Sequence, residues 1–159
     1  MDRGASTDAT DGSKLTALHM AARSSHAEAV EVLLDRGASI DAKDDDKYTA
    51  LHMAAHVGHI EVVKVLLDRG AHIDATGDDD HTALHLAARE GYIAVLKVLL
   101  ERGAQVGAMT DDKHTALFFL INHYSYSDYL TYDERPHLPC LHKGVILPRS
   151  LSLVPYLHT

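Results

Sequence analysis

The sequence predicts an all-α solenoid of stacked helix-turn-helix repeats with projecting β-turn loops. Three observations predict it. The letters TALH begin at Thr16, Thr49 and Thr82, and TALF begins at Thr115, each step being 33 residues. Residues 12–44 and 45–77 agree at 21 of 33 positions, and residues 45–77 and 78–110 agree at 19 of 33, which chance does not produce. Within each unit, apolar residues recur at helical spacing between glycines and Asp-rich turns.

In chain order, "DRGASTDATD" at 2–11 aligns with "DRGASIDAKD" at 35–44, so residues 1–11 read as the tail end of a truncated repeat. Residues 12–44, 45–77 and 78–110 are complete units. The second shows the logic. Thr49 is an N-cap type, because its hydroxyl can accept from a free amide of the first turn. Ala50 to Ala55 are fair or good helix formers, and Gly58 suits a left-handed stop. Ile60, Val63, Leu66 and Leu67 then mark one face of a second helix, and Val62 and Val65 widen it. Gly70 ends that helix, and "AHIDATGDDDH" is a projecting turn. Residues 111–123 start a fourth unit and break off, and 124–159 is expected to be an irregular tail. All four Pro, both Phe, the only Cys and five of seven Tyr lie after residue 117. The chain is therefore expected to be a fragment of a longer array or a truncated product with an unrelated tail; an irregular cap is the alternative.

These units resemble the ankyrin repeat, a 33-residue β-turn plus two helices with a T-P-L-H-x-A-A opening and a G-A ending. TALHMAA, TALHMAA and TALHLAA carry the likeness, as do DRGA, DRGA and ERGA, over about residues 2–117. The fold expected is thus an ankyrin-type solenoid. The family's Pro is Ala17, Ala50, Ala83 and Ala116 here, a loss of pre-organisation only. Its turn Gly is Lys14, Lys47, Asp80 and Lys113, which store strain if φ stays positive, and Ser25 stands where Gly58 and Gly91 stand.

Composition narrows function. Net charge is −8 over 159 residues, all of it in residues 1–117. That disfavours nucleic acid and suits a basic protein partner. The lone Cys140 fits a reducing compartment, and no apolar stretch approaches a membrane span. The expected location is the cytosol, with the nucleus as alternative. The chain is read as a monomer that uses no cofactor. No G-x-S-x-G, phosphate-binding Gly-rich loop or HExxH occurs, so no enzyme is expected.

Thirteen histidines raise the question of zinc. His52 and His56, and His81 and His85, are four apart, but a zinc site needs converging ligands and the repeat spreads them along a line. His19, His52 and His85 share one slot. The resemblance implies that each bonds the Thr of its own unit (Thr16, Thr49 or Thr82) and reaches the backbone of the adjacent turn. Phe118 takes this slot in the fourth unit. "HLPCLH" at 137–142, beside Asp133 and Glu134, has ligand types but no further zinc-module feature. No metal is expected.

The positive expectation is a non-catalytic protein-binding surface. Buried positions repeat, whereas exposed ones vary between units. The resemblance implies that the variable tips and inner-helix ends touch a protein partner, and the acidic tips suit one with a basic surface. The candidates are Leu15, Asp45, Asp46, Tyr48, Asp78, Asp79, His81, Asp111, Asp112 and His114 at the tips. Arg23, His56, Val57, Arg89 and Glu90 stand late in the first helices. The rival readings are a spacer within a larger ankyrin-containing adaptor, channel, kinase or ligase-complex protein, and histidine-based metal binding.

Overall fold

The computed structural model describes residues 6–130, with side chains as far as Ser125. Seven α-helices form among them: α1 Ala17–Arg23, α2 Ala27–Asp35, α3 Ala50–Val57, α4 Ile60–Asp68, α5 Ala83–Glu90, α6 Ile93–Glu101 and α7 Ala116–Leu130. Helices α1, α3, α5 and α7 stack as an inner layer, and α2, α4 and α6 as an outer one. The only strand-like pairing among the described residues is a single bridge, Thr10 to Thr16.

Each of the first six helices has seven to nine residues, too short to persist alone in water. Packing supplies the stability. Leu18, Leu51 and Leu84 seal the inner layer at 1–2 % exposure, while Val62, Val63, Leu66, Val95 and Leu99 are fully buried in the outer one. Each large aliphatic buried this way contributes about 1.5–3 kcal/mol. Small Ala54, Ala55, Ala87 and Ala88 let the inner helices approach closely.

Thr16, Thr49 and Thr82 cap α1, α3 and α5 from an extended backbone. The third helical residue answers as in a capping box, but it is His19, His52 or His85 rather than Glu or Gln. The stop is a left-handed residue, Gly58 (φ 79°) after α3 and Gly91 (φ 76°) after α5. Ser25 occupies the same slot at φ 62°, where an L side chain is strained. Replacing Ser25 with Gly is expected to stabilise the chain by about 0.5–1 kcal/mol, read as a higher urea midpoint at unchanged slope.

In the fourth unit this slot is Tyr124, and α7 runs through it to Leu130. The expectation of an irregular segment from residue 124 is corrected for 124–130. With no residue suited to a left-handed stop, the helix has no reason to end there. Residues 131–159, with the rest of that expectation and the "HLPCLH" stretch, lie outside the described residues.

Candidate functional site

The four tips form a continuous ribbon. Each closes on itself through Asp11 N–H to Leu15 O, Asp44 to Tyr48, Gly77 to His81 and Thr110 to His114, at 2.8–3.1 Å. Neighbouring tips join through Asp45 N–H to Ser13 O, Asp78 N–H to Asp46 O and Asp111 N–H to Asp79 O, at 2.9–3.2 Å. Asp11 and Asp44 tighten their turns by accepting backbone N–H groups on a side-chain oxygen. Lys14, Lys47, Asp80 and Lys113 keep positive φ (56–63°), so the strain expected of those positions is present. Asp79 adds a second positive φ (52°), giving the third tip a different turn.

That third tip has Gly77 where the first two have Asp, and Tyr48 explains why. A Cβ at 77 would collide with the Tyr48 ring, so the ring packs directly on bare backbone. Burial and the carboxylates of Asp78, Asp46 and Asp79 raise the Tyr48 phenol above its ordinary range, partly opposed by Arg89, so it stays protonated.

The tip charges alternate before they clash. Lys14 pairs with Asp45 at 2.9 Å and Lys47 meets Asp78 at 3.9 Å. At the next step Asp80 faces Asp111; its hydrogen bond and charge raise the Asp111 carboxyl above its usual range. Uncompensated acid therefore collects at the third and fourth tips.

The buried histidines hold the ribbon to the helices. In all three units Nδ1 takes the Thr N–H at 3.1 Å and lies 2.9 Å from the Thr hydroxyl. Nε2 reaches a carbonyl of the following unit from His19 (Tyr48) and from His52 (His81), and from His85 a carbonyl late in its own unit (Ala108), at 3.0–3.2 Å. A carbonyl only accepts, so Nε2 carries the proton and Nδ1 does not. Burial pushes His52 down to about 4 and lowers His85. In the fourth unit Phe118 instead stacks flat on His114, centroids 3.8 Å apart.

Behind the ribbon, α3 and α5 enclose a hollow of about 90 Å³ lined by Tyr48, His52, Met53, His56, Leu86 and Arg89. At its rim Arg89 Nε donates to Glu90 at 3.2 Å, and His56 Nδ1 lies 3.6 Å from the same carboxylate.

A family model describing ankyrin repeats matches three copies, over residues 1–77 and 41–110. The chain belongs to the ankyrin repeat family. A search of curated proteins finds no match to it. Ankyrin repeats are generally protein–protein interaction modules and typically non-catalytic. No helix among the described residues is long and apolar enough to cross a membrane. Nor do the described residues gather three or more His, Cys, Asp or Glu side chains as a metal ion would require.

The ankyrin groove brings Tyr48, His56, Arg89 and Glu90 together around the hollow. Asp46, Asp79 and Asp112 project as exposed tips, and Val57 and His81 are half-buried. Asp45 and Asp78 spend their charge on lysines, and Asp111 faces Asp80. His114 is engaged with Phe118. Leu15 and Arg23 stand one repeat away, on the first tip and at the end of α1. Sequence reasoning passed over Met53 and Leu86, whose slot carries Met or Leu in every complete unit and looks like core. That slot faces the groove.

Proposed function

We propose that this ankyrin array is a non-catalytic recognition module. It binds a protein partner with a basic surface through the concave groove and the acidic tips. The observation that carries this reading is the hollow between α3 and α5, where Tyr48, Met53 and Leu86 form an apolar floor. Exposed Asp46 and Asp79 stand on the tips nearest it. Tyr is a frequent anchor in interfaces, because it covers much area with few torsions to freeze. The carboxylates would steer a cationic partner and make its on-rate fall with salt.

The test is a charge reversal. Asp45, Asp46, Asp78 and Asp79 are changed together to Lys, and partners captured by the parent chain are titrated against both proteins at low and high salt. The parent should bind with strong salt dependence. The reversed chain should lose the partner, and Tyr48→Ala should weaken it with little change in salt slope. Partners retained by the reversed chain would show that the acidic groove is not the site and would favour a spacer.

A further inference from the structure

Exposed apolar surface is not spread over the molecule. Among the described residues, every exposed large hydrophobic except Met20 and Val32 lies between residues 92 and 124. They mark one end of the array, where α6 and α7 have no following unit among the described residues. Comparison slot by slot shows that this end is built to be covered. Leu117 is 58 % exposed, whereas Leu18, Leu51 and Leu84 in the same slot are 1–2 % exposed. Ile121 is 55 % exposed, and its counterparts Ala22, Ala55 and Ala88 are buried. Leu100 and Val106 are exposed, while Leu67 and Ile73 pack on the core. With Tyr124, residues 117 and 121 form a stripe at helical spacing along α7. A contiguous apolar patch of this kind marks a covered surface.

We propose that the chain's own residues 131–159 fold back over this end and cap it. The segment follows directly on Leu130, the last residue of α7, the helix that carries the stripe. Its 29 residues come close to one repeat of 33, and twelve of them are apolar, including Val145, Ile146, Leu147 and Val154. It carries three Lys/Arg against two acids, so charge repulsion does not oppose docking. Its four prolines do not suit a copy of the helix pair, so the covering is a strap rather than a further repeat. Tethering favours this occupant over a second copy, because attachment supplies an effective concentration that a free partner must reach by abundance.

Limited trypsin digestion of the full chain tests this. Lys143 and Arg149 are the cleavable positions, since Arg135 precedes Pro136. Two variants are compared with the parent, Ile121→Asp on the face and Ile146→Asp in the segment. Cutting at Lys143 and Arg149 should be slow in the parent and about tenfold or more faster in both variants, with all three proteins monomeric by light scattering. Ile146→Asp leaves the repeats untouched, so it decides the matter even if the face variant unfolds; protected amides in α3 and α5 confirm that the repeats persist. Equal cutting rates in all three proteins would overturn the proposal. So would a parent dimer that Ile121→Asp dissociates, which would make a second copy the occupant.

Discussion

Replacing Leu66 with Asp is expected to abolish the cooperative urea transition of the whole chain, not only of its own repeat. Leu66 is fully buried in α4, and α4 packs on α2 before it, on α6 after it, and on α3 of its own unit. The substitution removes about 2–5 kcal/mol of packing, judged by large-to-small core changes, and adds a carboxylate with no partner. A short array has about that much stability in total, because each unit relies on its neighbours. Circular dichroism during urea titration should show a chain without a native baseline. Leu66→Ala should retain a transition at lower midpoint. A Leu66→Asp chain that unfolds at the parent's urea concentration would contradict the packing described for α4.

Acidification is expected to produce the second large effect. His52 ionises at about 4 in the folded chain against an ordinary 6.5. A depressed His pKa means that the unfolded chain takes up the proton first. Stability is therefore full above about pH 6.5 and falls as pH drops towards 4, by about 3 kcal/mol for His52 at 1.36 kcal/mol per unit. His85 is lowered as well and adds in the same direction. Burial is the main reason, and a proton on Nδ1 would also face the Thr49 or Thr82 N–H, donor against donor. Urea midpoints measured from neutral pH down to pH 4 should decline. His52→Gln, whose amide can accept and donate at the same two ends, should flatten the decline while lowering stability at neutral pH. A parent midpoint constant across that range would refute the role given to the buried imidazoles.

What could be read from the letters was whatever recurs. The 33-residue period placed both helices of each complete unit, Thr49 announced the cap, and the resemblance to the ankyrin repeat implied that His52 is its partner. Some misses lie where one unit departs from the rest, and others in recurring slots whose partners sit in a neighbouring unit. Tyr124 replaces a stop residue, and matching the repeat pattern registered a break where the backbone simply continues as helix. The Lys14–Asp45 and Lys47–Asp78 pairs connect different units, so a tip read alone looks more acidic than it is. Gly77 reads as one more flexible turn residue until the Tyr48 ring is seen to rest on it. Met53 and Leu86 share the apolar character of core positions, and Leu86 is buried, so only the assembled stack shows that both also line the hollow.

The bonds between units are written in recurring slots. Asp8, Asp41 and Asp74 accept the N–H of Ser39, His72 and Gln105, and Arg69 and Arg102 reach back to Asp35 and Asp68 at 2.7 and 2.6 Å. Each unit therefore carries both halves of its own joint, like a brick with stud and socket. A gene encoding such a brick can lengthen or shorten by in-frame duplication or loss without inventing a new junction. Binding surface then becomes a matter of copy number, and later substitution at the tips can diversify it while the joints stay as they were.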